Sequence, residues 1–255
     1  MRGQFKRLSP PRRTVTDLMR FAIKVPAIPC QRVMQLGAVV AARKATATTP
    51  SWTSIFCKAF AITARTFPPL RQVFLPYPWP HLYEYDTSVA NVAVTRLDDG
   101  EPAVFGCVIK DPTALPLREI AARIDNDAQA PLETIRGFAR QMKFGRLPGV
   151  IRRPLFWLAM SIARPRGRYF GTFALSSITS FGSELILTMS PLTTVLAYGM
   201  FQSDGTLAVR ITFDHRVMDG VTVARALERM EEVLNGEILR ELQTMQLPAG
   251  TAATR

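Results

Sequence analysis

The chain contains two histidines, and one of them, His215, has neighbours that suggest chemistry. It follows residues 206–214, where apolar side chains alternate with others as they do in a β-strand. Residues 219–220, Asp-Gly, close a tight turn, and an apolar stripe over residues 223–234 predicts a helix beyond it. A histidine at such a junction can project into a cleft and accept a proton near neutral pH. His215 is therefore the candidate general base, whereas His81 lies in a proline-rich loop.

A lone His-x-x-x-Asp-Gly string says little about catalysis, because an isolated histidine is more often a structural residue that makes one hydrogen bond. The longer run over residues 213–220, Phe-Asp-His-Arg-Val-Met-Asp-Gly, closely resembles the active-site signature of dihydrolipoyl acyltransferases, the catalytic subunits of 2-oxo acid dehydrogenase complexes. Residues 171–176, Gly-Thr-Phe-Ala-Leu-Ser, resemble the strand that carries the oxyanion-stabilising serine of that family. Residues 190–194, Ser-Pro-Leu-Thr-Thr, resemble its proline-containing strand entry. Weaker similarity upstream extends the resemblance over most of the chain.

The resemblance implies a role for each of three residues. His215 removes a proton from the acyl acceptor, and Ser176 donates a hydrogen bond to the tetrahedral oxyanion. Asp219 is mainly architectural, through an ion pair with Arg12 or Arg13 that holds the loop in place. The sequence around Asp219 fits a second interpretation equally well, namely a simple turn aspartate that precedes a glycine.

The resemblance also implies an α/β fold of the chloramphenicol acetyltransferase type, in which helices flank a mixed β-sheet. We expect a homotrimer with clefts between subunits, so that His215 of one chain faces Ser176 of its neighbour. The implied reaction transfers an acyl group from acyl-coenzyme A, or another thioester, to a thiol, hydroxyl or amine. A coenzyme A thioester is then the co-substrate, and no metal is expected. The alternative is a non-catalytic scaffold or assembly protein that retains the acyltransferase fold.

Two departures from the family pattern bear on the acyl acceptor. The chain has no Asp-Lys-Ala lipoylation turn, so no lipoyl group is expected on it. Residues 177–179 are Ser-Ile-Thr where the family commonly has Asn-Leu-Gly, so the acceptor side of the cleft differs from that for dihydrolipoamide. Residues 1–255 are interpreted as a single acyltransferase catalytic domain with a basic arm at 1–12, a basic amphipathic insertion at 143–168 and a flexible tail at 246–255.

The remaining pattern predicts a mixture of helices and strands. Apolar residues recur at helical spacing over residues 51–67, and two prolines then stop the helix. Two valine-rich strands at 88–97 and 102–109 flank Asp-Asp-Gly, a sequence that favours a hairpin turn. Helical spacing returns at 115–126 and 131–142, and Gly236 is placed to cap the last helix.

The net charge of +12 is unevenly distributed along the chain. Asp17 is the only acidic residue among the first 83, and none lies between Glu133 and Glu184. Such asymmetry suggests an anionic partner, which could be a phosphorylated cofactor, an acidic carrier protein, a lipid head group or nucleic acid. Nucleic acid is disfavoured because no recognised binding motif is present. A solvated basic surface with no specific partner is the alternative.

Residues 143–168 carry seven Lys or Arg residues and no acid, around the apolar run Leu-Phe-Trp-Leu-Ala-Met at 155–160. We expect a short helix between Pro154 and Pro165 with basic flanks. Such a helix could rest on an anionic membrane surface or on a partner. It could also pack on its own domain and leave its arginines in water.

The three cysteines are odd in number, widely spaced and set among apolar neighbours, which argues against a disulfide framework or a zinc site. A reducing compartment is therefore expected. The first residues are basic without the apolar run of a signal peptide, and no segment reaches the roughly 18 apolar residues of a membrane span. We expect a cytoplasmic protein, and the basic insertion leaves peripheral membrane attachment open.

Overall fold

A mixed β-sheet lies at the centre of the computed structural model, which describes residues 3–98 and 100–246. Within these residues six strands occur in the order β1-β8-β7-β6-β4-β5, and two further strands, β2 and β3, form a separate antiparallel pair. The strands are β1 (Ala27–Gln35), β2 (Gln72–Leu75), β3 (His81–Glu84), β4 (Val89–Asp98), β5 (Glu101–Lys110), β6 (Phe173–Leu175), β7 (Thr194–Tyr198) and β8 (Thr206–Asp214). The sheet combines parallel pairs at its centre with antiparallel pairs on both sides.

Nine α-helices accompany these strands within the described residues. They are α1 (Pro10–Ala22), α2 (Gly37–Lys44), α3 (Trp52–Thr66), α4 (Leu117–Gln129), α5 (Arg136–Arg146), α6 (Gly149–Ser161), α7 (Ala163–Phe170), α8 (Gly220–Val233) and α9 (Leu239–Thr244). The expected mixed sheet with flanking helices is therefore confirmed.

The predicted helix at 51–67 is α3, the most deeply buried helix in the fold. Ser51 caps its N-terminus, and the Ser51 hydroxyl accepts a hydrogen bond from the Ser54 amide at 3.3 Å. Phe56 and Phe60 are fully buried, and the Phe60 ring lies 4.2 Å from that of Phe173 at the start of β6. The helix thereby joins the sheet to the rest of the core.

The predicted hairpin at 88–109 forms as β4 and β5, which pair in antiparallel register from Val89 with Lys110 to Asp98 with Glu101. The predicted helices at 115–126 and 131–142 correspond to α4 and α5. Helix α5 begins at Arg136, five residues later than expected, because a short 3₁₀ turn occupies residues 132–134.

Two expectations about element boundaries are wrong. Helix α1 begins at Pro10, inside the segment expected to be a basic arm, with its two prolines in the first turn, where no amide donor is needed. Gly236 does not cap α8, because a π-helical turn over residues 234–238 carries the chain into α9. Residues 1–2 of the arm and residues 247–255 of the tail lie outside the described residues.

The helix expected between Pro154 and Pro165 also differs from the structure. Helix α6 starts at Gly149 and contains Pro154, and α7 follows after Ile162. Val150, the residue whose carbonyl loses its partner at Pro154, is 83% exposed, so water can satisfy that carbonyl.

Candidate functional site

His215 stands immediately after β8 and is held by two contacts to main-chain carbonyls. Its amide donates to the Pro26 carbonyl at 3.1 Å, and its Nδ1 lies 3.0 Å from the Met218 carbonyl oxygen. A carbonyl oxygen can only accept, so Nδ1 carries the hydrogen and the lone pair of Nε2 stays free. The imidazole also meets the Phe213 ring edge-on, with centroids 5.9 Å apart. The arrangement presents a base at the exposed end of a strand.

Asp214 is a structural residue of the same loop. It is 2% exposed, and its carboxylate accepts from the Arg216 amide at 3.0 Å and from the Arg216 guanidinium at 2.7 and 2.9 Å. That guanidinium lies over the Phe74 ring of β2, 4.5 Å from its centroid. The pair closes the turn in which His215 stands, and it ties the turn to the β2–β3 ribbon.

Asp219 caps helix α8. Its carboxylate accepts from the Thr222 amide at 2.9 Å and from the Thr222 hydroxyl at 3.0 Å, and these hydrogen bonds lower its pKa. Across the described residues no ion pair joins Asp219 to Arg12 or Arg13, and Arg13 instead donates to the Leu8 carbonyl at 2.9 Å. The expected ion pair is therefore absent among the described residues, and Asp219 caps α8 through its Oδ1 instead.

Ser176 follows β6 directly. Its amide donates to the Leu196 carbonyl of β7 at 3.0 Å, which fixes the backbone from which the half-buried side chain projects. The entry to the strand depends on Gly171, where φ is +86° and an added Cβ would lie 2.7 Å from the Val89 carbonyl oxygen. Only glycine brings the chain this close to β4.

Ser176 and His215 are far apart along the sheet. Strands β6 and β7 are parallel, whereas β8 is antiparallel to β7, so Ser176 follows β6 in one direction and His215 follows β8 in the other. The register aligns Leu175 with Leu196 and Leu196 with Ile211, four residues before His215. A rise of about 3.3 Å per residue and a strand spacing of about 4.8 Å put the two side chains roughly 15–20 Å apart. One chain therefore does not bring them together.

A polar cluster beside Ser176 was not anticipated from the sequence. Tyr198, at the end of β7, lies with its hydroxyl 2.8 Å from that of Thr53 and stacks on Phe56 at 4.6 Å between centroids. Burial raises the pKa of Tyr198. Ser177 Oγ lies 3.1 Å from Thr179 Oγ1, in the segment that departs from the family pattern. An apolar strand such as β7 carries no signal for this cluster, because the contact partners come from α3.

Other chemistries find little support in the described part of the chain. Burial raises the pKa of the Cys57 thiol to about 12 and that of the Cys107 thiol still further, so both stay protonated and unreactive. No group of three or more His, Cys, Asp or Glu residues within 3–98 and 100–246 is arranged to hold a metal ion. Among the same residues, no helix has the length and apolarity needed to cross a membrane.

Comparison with solved structures identifies the fold. No family model and no curated protein sequence matches the chain. A probable dihydrolipoamide acetyltransferase from Listeria monocytogenes is similar, with a TM-score of 0.63, 17% identity and coverage of 99% of each chain. The dihydrolipoamide acetyltransferase (E2p) of Azotobacter vinelandii has a TM-score of 0.66 and 19% identity, with coverage of 96% of this chain and 95% of its own. Chloramphenicol acetyltransferase has a TM-score of 0.52 and 15% identity, with coverage of 87% of this chain and 94% of its own. The expected chloramphenicol acetyltransferase-like fold is confirmed.

Proposed function

We propose that the protein is an acyltransferase that moves an acyl group from acyl-coenzyme A, or another thioester, to a thiol, hydroxyl or amine. The observation that carries the proposal is the geometry of His215, whose Nδ1 is committed to the Met218 carbonyl so that Nε2 is free to accept a proton. The fold supports it, because similar structures include dihydrolipoamide acetyltransferases and chloramphenicol acetyltransferase.

In the proposed reaction Nε2 of His215 takes the proton from the acceptor as the acceptor attacks the thioester carbonyl. The carbonyl oxygen gains the negative charge, and the Ser176 hydroxyl donates a hydrogen bond to it. The C–S bond then breaks, the leaving thiolate takes the proton back from the imidazolium, and the acyl product and free thiol depart. Neither residue becomes acylated. The investigated mechanism of the Azotobacter vinelandii enzyme likewise concerns a serine, a histidine and an asparagine four residues after that histidine, the position of Asp219 here.

A shared cleft follows from the distance between the two proposed catalytic residues. Because Ser176 and His215 of one chain are roughly 15–20 Å apart along the sheet, a complete site needs Ser176 from a second copy. We propose a homotrimer, since three copies in a closed ring give each His215 a neighbouring Ser176. A cubic core of the pyruvate dehydrogenase multienzyme complex, with a TM-score of 0.63 and 16% identity, is among the similar structures.

The test is a screen of acyl-coenzyme A donors for thiol release, with and without acceptors from a cell lysate. We expect acceptor-dependent release that His215→Ala lowers by about 10²–10⁴-fold, the usual contribution of a general base. His81→Ala is the matched control, because it removes the other histidine, which begins β3 and has its Nδ1 2.6 Å from the Trp79 carbonyl oxygen. Wild-type rates in His215→Ala would overturn the assignment.

The alternative function is a scaffold that keeps the fold without the chemistry. It predicts no thiol release from any donor, and it predicts that His215→Ala and Ser176→Ala leave every assembly property unchanged. The presence of both proposed catalytic residues, His215 and Ser176, argues against it.

A further inference from the structure

Helix α6 is oriented with its apolar residues toward solvent. At 100° per residue, the outward half of the helix carries an almost unbroken apolar surface interrupted only by Ser161. Val150 is 83% exposed and Trp157 is 49% exposed. The exposed apolar residues of this surface are Val150, Ile151, Pro154, Leu155, Trp157, Leu158 and Ile162. Helices on soluble domains normally present polar residues on this side.

The inward half of α6 explains why the helix cannot rotate to bury that surface. Arg152 is 6% exposed, and its Nε donates to a carboxylate oxygen of Asp17 on α1 at 2.5 Å. Phe156 and Met160 are buried on the same side, and the Phe156 ring packs against Phe21 with centroids 5.1 Å apart. Rotation of α6 would expose the Phe156 and Met160 side chains and leave the Asp17 carboxylate buried without its partner.

Two aromatic residues from the β2–β3 turn extend the exposed surface of α6. The Tyr77 ring lies 6.0 Å from the Trp157 ring, and Trp79 of the same turn is 67% exposed. Tyrosine and tryptophan are the residues that prefer the boundary between lipid head groups and acyl chains. We call the outward half of α6 together with Tyr77 and Trp79 the α6 face.

Positive charge surrounds the α6 face. Arg153 and Arg164 are exposed at its edge and just beyond its end, and Arg153 also has its Nε 3.8 Å from an Asp17 carboxylate oxygen. Lys143, Arg146 and Arg168 are exposed on the neighbouring helices. No acidic residue lies between Glu133 and Glu184. The other two basic residues of the segment do not contribute, because Arg152 binds Asp17 and the buried Arg166 donates to the Pro191 carbonyl. Five of the seven basic residues in the segment 143–168 therefore remain exposed around the α6 face.

We propose that the α6 face binds the surface of an anionic lipid bilayer, with its apolar residues among the acyl chains and its arginines at the head groups. This combination of an apolar face, interfacial aromatics and a basic rim is that of helices that lie in the plane of a membrane. A second copy packed face to face is a poorer occupant, because that contact would bring the same basic rims together. A contact with a different patch of a second copy, as in a ring, is an outcome of the test.

The proposal is tested by co-sedimentation of the purified protein with vesicles of phosphatidylcholine alone or mixed with phosphatidylglycerol, in the absence of any acyl donor. We expect binding to the anionic vesicles only, and weaker binding as salt screens the rim. Arg153→Gln with Arg164→Gln should lower the partition coefficient roughly 10- to 30-fold. Arg118→Gln with Arg225→Gln, which removes two exposed arginines of α4 and α8, is the matched control and should bind like the wild type.

The apolar contribution is tested separately with Leu155→Ser and Leu158→Ser, which should abolish vesicle binding and leave the oligomeric state unchanged. Three results would overturn the proposal. The first is no sedimentation of the wild-type protein with anionic vesicles at low salt, and the second is an equal loss of vesicle binding in the Arg118→Gln, Arg225→Gln control. The third is a smaller oligomer when the two leucines are replaced. The last would mean that the face packs against another copy. Because no substrate is present, these outcomes do not depend on the proposed acyl transfer.

Discussion

At the scale of single residues, the turn after β8 orients its imidazole with the main chain rather than with a carboxylate. The Met218 carbonyl holds Nδ1 of His215, while both carboxylate oxygens of Asp214 are taken by Arg216. A main-chain acceptor keeps its position at every pH at which the fold survives. The turn therefore selects one tautomer of His215 through an acceptor that does not itself titrate.

Ser176→Ala tests the second proposed catalytic residue. Loss of one oxyanion donor is expected to lower turnover by roughly 10²–10³-fold, with little change in stability, because the half-buried hydroxyl is small. Steady-state kinetics with the donor found in the screen measure the effect. Ser203→Ala, in the exposed turn before β8, is the control and should keep full activity. Full activity in Ser176→Ala would show that the oxyanion is stabilised by another group.

At the scale of elements, breaking the buried ion pair between α1 and α6 should be costly, because one charge would stay buried without its partner. Asp17→Ala leaves Arg152 charged, 7% exposed and without its carboxylate, which is expected to cost about 3–5 kcal/mol of the free energy of unfolding. Urea denaturation of the purified protein measures the loss.

The double variant Asp17→Leu with Arg152→Met is the control for the ion pair. It replaces both charges by apolar groups of similar size, and it should recover most of the lost stability, since a buried pair contributes little beyond its own desolvation cost. A single variant as stable as the wild type would contradict this account of the contact.

The sequence predicts elements whose pattern is local and misses those that depend on a distant partner. Strand β8 and helix α8 show clear periodicity, as does the β4–β5 hairpin with its Asp-Asp-Gly turn. Strand β1 contains Pro29, Gln31 and Arg32 on an edge of the sheet, and only pairing with β8 makes it a strand. Helix α1 begins within a proline- and arginine-rich stretch that was interpreted as a basic arm, and its inward side carries Asp17, whose partner Arg152 is distant in the sequence.

In the candidate site, too, the sequence predicts what depends on a local pattern and misses what depends on distant residues. His215 and the Asp219 turn could be recognised from eight consecutive residues. The two interpretations of Asp219, an ion pair and a turn residue before glycine, did not include its cap of α8. The separation of Ser176 from His215 could not be derived, because it depends on the strand order of β6, β7 and β8. The partnership of Arg152 with Asp17 spans 135 positions, beyond any local pattern.

At the scale of the whole molecule, a site shared between copies predicts complementation between two inactive chains. His215→Ala and Ser176→Ala chains, unfolded together in equal amounts and refolded, should regain activity, because about one quarter of randomly assembled clefts would hold both intact residues. Each variant refolded alone is the control and should stay inactive or impaired. Mass determination in solution should give three chains per particle, and mixed trimers without recovered activity would argue against the shared cleft.

The pairing of β1 with β8 also has a consequence for synthesis on the ribosome. Gln35 pairs with Thr206 and Ala27 with Asp214, so 171 to 187 positions separate the partners. At about 5–20 residues per second, the nascent β1 waits roughly 10–40 s before its partner has been translated. The His215 amide binds the Pro26 carbonyl just before β1, so the turn that carries the base can be completed only at this late closure. Premature termination before residue 206 therefore leaves an unpaired strand edge exposed to other nascent chains.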